Sequence, residues 1–224
     1  MTFSLTARDP QTGAFGMVVS SSSPAVASRC IHLRPGVGVV ASQNVTNPVL
    51  GTAILDSLAA GKNSAAALEA ALGEEKHPAY RQISVVDSSG STAHHSGANS
   101  LGTTHWILGE AAVAAGNLLA FEETVEELLS GYAESSAETF EGRLLDGLTA
   151  AMAAGGEAGP VRSAGIKIVE NLPWAVTDLR VDDADEPIAE LQRLWELWAP
   201  QKADYRTRAL NPEEAPNYGV PGDL

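Results

Sequence analysis

The chain has 224 residues, 44% of them apolar, with 28 acidic against 14 basic residues and a formal net charge of −14. That length suits one large domain or two small ones, and the apolar share supports a real core. An acidic surface repels phosphate backbones and anionic lipid, and no apolar run reaches the roughly 18 residues that span a bilayer, so neither nucleic acid nor membrane is expected as a partner. Residues 2–8 and 14–20 are short apolar or β-branched runs joined by RDPQTGA, which predicts a β-hairpin starting at the first residues. Residues 36–42 (GVGVVAS) predict a third strand, small and nearly uncharged, with cover on both faces. Helical spacing follows at 49–60 and 64–72, with Gly61 ending the first helix and Ser64 as N-cap of the second. Strands are predicted at 81–87 and 91–96 around Ser88-Ser89-Gly90, and at 111–115 leading into Gly116-Asn117.

The stretch 121–132 and its continuation to 154 are predicted helical, and seven Glu without a basic residue between 121 and 142 read as a solvated face. Strands at 163–169 and 174–180 flank ENLP. A helix at 186–198 places Ile188, Leu191, Leu194 and Trp195 on one face, with Trp198 a turn further on. The segment after it carries Pro200, Pro212, Pro216 and Pro221 and is expected as an irregular arm lying over the domain or a neighbouring subunit. Residues 1–198 are thus expected as one domain and 199–224 as its Pro-rich arm. Hairpin-type connections dominate over βαβ alternation, which predicts an α+β protein of antiparallel sheets with segregated helices. A four-layer α-β-β-α sandwich accommodates this order. The opening MTFSLTARDP lacks the basic region and apolar core of a secretory signal, and the single Cys30 excludes an internal disulfide, so a cytoplasmic location is expected.

Charge is uneven. Residues 1–50 hold Arg8, Arg29 and Arg34 against Asp9, a net +2, which leaves −16 for the remainder. Such a hydrogen-bonding, slightly cationic region suits a polar or anionic small molecule, although buried strands avoid charge in any case.

The blocks TFSLTARDPQTGAFGMVVSSSSPAV, GVGVVASQNVTNP, AAGNLLA, GGEAGPVRSAG and DLRVDDADEPIAEL together resemble a bacterial family known as domain of unknown function 1028. The resemblance runs from Thr2 to Leu194. That family is described as similar to N-terminal-nucleophile hydrolases, the superfamily of proteasome β subunits and penicillin acylases. The resemblance therefore implies the same α-β-β-α sandwich, with a nucleophile opening the first strand, and it implies no particular substrate. Relatives more usually carry a basic residue and Gln before Ser-Ala; here GPVRSAG places Arg162 there, so substrate preference is expected to differ.

A terminal Thr supplies nucleophile and base together, because a free α-amine has a pKa of about 7.7–8.0 and can take the hydroxyl proton directly or through a water. Thr2 fills that role once Met1 is removed, a step that a small second residue permits. Many proteins carry a small residue there for no catalytic reason. Asn117 is the first candidate for the oxyanion donor, through its neutral NH₂, against a turn-satisfying or capping role. Ser21 and Ser23, in the serine run after the second predicted strand, are candidates to orient the amine. Arg29 and Arg34 are candidates to bind a substrate carboxylate or to lower the amine pKa, against structural ion pairs, and Arg162 is a further substrate-binding candidate. Asn44 and Asn47 are candidates for substrate or oxyanion contacts, with Asn47 before Pro48 also reading as helix-entry chemistry.

Asp182 and Asp183 read as capping or pairing with Arg180, and His94 and His95 point to opposite faces of a strand. Zinc spacing, a phosphate loop and a G-x-S-x-G elbow are not found, so neither metal nor cofactor is expected. The leading expectation is an amidohydrolase cleaving a small polar or anionic amide, as a homo-oligomer. The alternative is a non-catalytic small-molecule-binding or assembly protein on the same fold. A third reading makes Cys30 a nucleophile, with no suitably spaced His to support it.

Overall fold

In the computed structural model, which describes residues 2–220, β1 (Thr2–Arg8) and β2 (Phe15–Ser21) form the hairpin expected of the opening residues. The expected loss of Met1 and the end of the expected arm, 221–224, lie outside the described residues. The chain continues through α1 (Ala27–Cys30), β3 (Ile31–Arg34), β4 (Gly38–Asn44), α2 (Pro48–Ala59) and α3 (Ser64–Glu74). Next come β5 (Arg81–Asp87), β6 (Thr92–Ser96), β7 (His105–Gly109), β8 (Ala112–Asn117), α4 (Glu123–Ala133) and α5 (Phe140–Ala153). The last elements are β9 (Ser163–Val169), β10 (Ala175–Val181), α6 (Pro187–Trp198) and α7 (Lys202–Leu210).

The strands make two antiparallel sheets, one ordered β10-β9-β2-β1-β8-β7 and the other β3-β4-β5-β6. Strand alternation sorts the side chains. On β1, Phe3, Leu5 and Ala7 join Leu128, Leu144, Leu148 and Leu191 in one apolar cluster with the helices α4, α5 and α6. The opposite face of the same sheet adds Phe15, Met17, Val19 and Val113 to Val39, Ala41 and Val86 of the second sheet. Val40, Ile83 and Val85 pack on Ile54, Leu55, Leu58 and Leu68 of α2 and α3. Each fully buried side chain of this size contributes about 1.5–3 kcal/mol of transfer free energy. As its composition predicts, β4 is covered on both faces.

Four details differ from expectation. The N-cap of α3 is Asn63, whose side chain accepts from Ala66 N at 2.9 Å, while Ser64 N donates to Asp87 at 2.8 Å. Short β3 and the half-exposed edge strand β7 lacked a sequence signal. Glu141, inside the acidic run, is buried, accepting from Thr177 Oγ1 at 2.8 Å and Lys202 Nζ at 2.7 Å. The segment expected to be irregular contains α7, because Pro200 precedes the helix and Pro212 follows it, where neither ring interrupts its hydrogen bonds. Tyr205 of α7 lies 5.1 Å from the Trp198 ring, and Arg206 pairs with Glu170 at 2.7 Å. No helix among the described residues is long and apolar enough to cross a membrane.

Candidate active site

Because β1 lies between β8 and β2, its first residue has a neighbour on each side. Thr2 stands opposite Asn117 in the β1–β8 register, and its Oγ1 reaches Ser21 Oγ on β2 at 3.5 Å. Ser21 in turn stands opposite Ser163 on β9. Residues directly opposite each other share a face, so Asn117, Thr2, Ser21 and Ser163 form one polar row across four strands, facing the second sheet. All four are buried, Thr2 to 5% exposure. Ser21 Oγ also accepts from Ser23 N at 3.1 Å, and Ser163 Oγ donates to Ser23 O at 2.6 Å and accepts from Val26 N at 3.2 Å. The serine run is thereby fixed around the row.

Beside the row lies a buried amide network that the sequence reading missed. Ser4 Oγ donates to Gln43 Oε1 at 2.7 Å, and Gln43 Nε2 donates to Gln82 Oε1 at 2.8 Å and to Ala115 O at 3.3 Å. Gln82 Oε1 also accepts from Asn117 Nδ2 at 2.9 Å, while its Nε2 donates to Ser96 Oγ at 3.0 Å and Gly116 O at 2.9 Å. This sets the Asn117 amide: its nitrogen faces Gln82, and its buried Oδ1 has no hydrogen-bond partner among the described residues. The available signal was a Gln within each of two nearly uncharged strands, SQN and RQISVVD, since a buried amide needs partners.

Three of the four non-glycine residues in the left-handed region among the described residues lie toward the same end, Ala25 (φ 52°), Asn44 (φ 70°) and Leu118 (φ 51°), near the ends of β2, β4 and β8; the fourth, Ala111 (φ 48°), makes the β7–β8 turn at the other end. Such conformations cost about 1–3 kcal/mol each and tend to cluster at functional sites. Here Asn44 donates to Tyr80 O at 2.7 Å and accepts from Leu101 N at 3.2 Å, and Leu118 N donates to Leu101 O at 2.8 Å.

A second missed residue is Glu157. Its carboxylate accepts Ser22 N at 3.2 and 3.1 Å, its backbone bridges Leu119, and it is 4% exposed. Burial pushes the carboxyl up to about 7, against the opposing Ser22 hydrogen bonds. Its sequence signal was a single acid after the glycine pair Gly155-Gly156, which turns the chain with φ of 118° and 60°.

The other sequence candidates are engaged elsewhere. Arg29 donates to Pro24 O at 2.6 Å and Ala25 O at 3.0 Å, and Arg34 pairs with Asp56 at 2.6 Å. Asn47 caps α2 through Val49 N at 3.2 Å and donates to Glu75 at 2.6 Å. Arg162 hydrogen-bonds Ser21 O through its backbone, but its guanidinium lies on Asp183 and Asp185. Asp182 pairs with Arg180 at 2.8 Å. Cys30 is buried, and burial pushes its thiol up, which disfavours the thiolate that a nucleophile needs. His94 stacks on Trp106 at 4.9 Å, and burial holds it neutral with a pKa of about 3. A depression of about 640 Å³ opens on α4 and α5 between Phe121, Glu127 and Ala150, and Thr2 does not line it. The interest of Thr2 lies in its polar row.

The chain is similar to a crystallographically determined protein of Silicibacter pomeroyi assigned to the same family model, at 28% identity and a TM-score of 0.84 over 91% of this chain and 92% of that one. It also aligns with an Anbu (Gly-1) mutant from Hyphomicrobium sp. strain MC1, at 12% identity and a TM-score of 0.43 over 98% and 100% of the two chains. For Anbu (ancestral β-subunit) from Yersinia bercovieri the values are 9% and 0.41 over 89% and 95%. No curated protein matches the chain. A family model matches residues 2–191, and the chain belongs to that family, the Family of unknown function (DUF1028).

Proposed function

We propose that this protein is an amide-bond hydrolase whose nucleophile is the Thr2 hydroxyl and whose base is the Thr2 α-amine, freed by removal of Met1. The observation that carries the reading is the buried polar row Asn117–Thr2–Ser21–Ser163 at the strained end of the larger sheet. Helices packed outside each sheet and apolar side chains between the sheets are consistent with an α-β-β-α sandwich. In this mechanism the amine takes the hydroxyl proton as Oγ1 attacks the amide carbonyl. Asn117 Nδ2 has a second hydrogen besides the one given to Gln82, and it supplies the oxyanion donor. The amine then returns the proton to the leaving nitrogen, and water releases the acyl group from Oγ1. The substrate is a small polar or anionic amide, the protein works as a cytoplasmic homo-oligomer, and neither metal nor cofactor enters the scheme.

The alternative, a non-catalytic small-molecule-binding or assembly protein, is favoured by one observation: Thr2 is only 5% exposed, little access for a substrate. The intact mass of the untagged protein separates the two. A mass short by one methionine, with amide turnover that Thr2→Ala abolishes, supports the hydrolase. Retention of Met1, or full activity in Thr2→Ala, overturns it.

A further inference from the structure

Glu157 is tied to both strands that flank β1. Beyond β8, its backbone bridges Leu119, with Ala158 N donating to Leu118 O at 3.0 Å and Ala120 N to Gly156 O at 3.1 Å. Beyond β2, its two carboxylate oxygens share the Ser22 N–H at 3.2 and 3.1 Å. Since β1 runs between β2 and β8, and neighbouring strands lie about 4.8 Å apart, a residue joined to both crosses a span of about 10 Å in which β1 begins.

We propose that Glu157 is a positioning residue for the α-amino group of Thr2, its carboxyl lying over the start of β1 and accepting a hydrogen bond from that amine once Met1 is gone. The proposal rests on the reading of Thr2 as the first residue of the mature chain. An amine that donates to a carboxylate has its lone pair turned away from it, free to meet the hydroxyl proton. Asn117 Oδ1, a buried acceptor on the residue opposite Thr2, is the second group placed to receive an N–H. The surrounding elements otherwise bring neutral groups, Ser21 and Ser22 from β2 and its extension, and Thr124 of α4, whose Oγ1 donates to Gly156 O at 3.2 Å. Arg162, the charged residue on the return to β9, is held by Asp183 and Asp185.

The test reads the amine itself and needs no substrate. Protein lacking Met1 is labelled with [¹³C]threonine, and the Thr2 Cα and Cβ shifts, assigned by their loss in Thr2→Ser, are followed against pH. A carboxylate beside the ammonium raises the amine pKa, so the Glu157→Gln midpoint is expected about one unit below the wild-type midpoint, with Glu157→Asp in between. A merely structural carboxyl would leave the three curves superimposed, and that result overturns the proposal while sparing the hydrolase reading. If every preparation retains Met1 and shows no titrating terminal threonine, both fall together. Should Glu157→Gln fail to fold, the wild-type curve alone decides: coupling to a neighbouring carboxyl demands two inflections at Thr2, and a single one overturns the proposal.

Discussion

The space between the two sheets has two halves of opposite character. Where β1 begins, it holds Ser4, Gln43, Gln82 and Asn117, none more than 1% exposed and joined by hydrogen bonds. Toward the other end, the same strands place Phe15, Met17, Val39, Val86 and Val113 there. The alternation that buries a side chain is identical in both halves; only the chemistry changes. Apolar filling tolerates substitution at about constant volume and stabilises through buried area and close packing, without fixed partners. An amide network holds together only with every partner present, so a fold under selection for stability alone gains little from it. On the proposed reading, the Thr2 end is the half that serves the chemistry, and the apolar half is the one that serves the fold.

Breaking the apolar half is expected to have the largest effect on stability. Phe15→Ala removes a ring 1% exposed and should cost about 3–5 kcal/mol in urea unfolding. A cost below about 1 kcal/mol would mean that this half collapses freely and the contrast is overdrawn. Gln82→Leu comes next. It takes the partner of Asn117 Nδ2, one of the two acceptors of Gln43 Nε2 and the side-chain donor to Gly116 O, for an expected loss of about 2–4 kcal/mol. A variant as stable as the parent would show that the network does not hold the polar half in place.

Glu157 sharpens the comparison through pH. Its carboxyl titrates at about 7 in the folded chain that begins at Met1, against an ordinary 4.5. Between those values the native state binds the extra proton, so this group's contribution falls as pH rises from 4.5 to 7 and is flat outside that window. In protein that keeps Met1, Glu157→Gln should remove that decline, gaining about 2–3 kcal/mol on the parent by pH 8 in denaturant titrations. Parallel stability curves across the window would contradict the burial argument. The smallest change in stability is expected for Thr2→Ala, within about 1 kcal/mol by thermal unfolding, although turnover should vanish.

Much of this contrast is written in short-range patterns. The β1–β2 hairpin, the apolar strand within β4, and the helices α2, α3 and α6 follow from alternation, spacing and turn residues, as does the polar character of the serine run. What escaped depends on distant partners. The edge strand β7 has alternate residues half-exposed and forms because β8 offers it a ladder. Asn63 and Ser64 are both good caps, and Asp87, taking the Ser64 N–H, decides between them. Glu157 lies 155 residues beyond Thr2, so only the closed sheet relates them. Arg34 and Asn47 looked available in a weakly charged region, yet each meets an acid from a later segment, Asp56 and Glu75.

The docking of α7 ties the two ends of the helical layer together. Glu141 is a buried carboxyl group whose cation, Lys202, arrives 61 residues later, and the same ammonium holds Glu170 at 3.0 Å, with Arg206 on that acid too. One lysine thus clasps α5 to the strand end at Glu170, and taking it away would leave a buried acid without its cation, so the segment behaves as a fastening of the domain and not as a loose appendage.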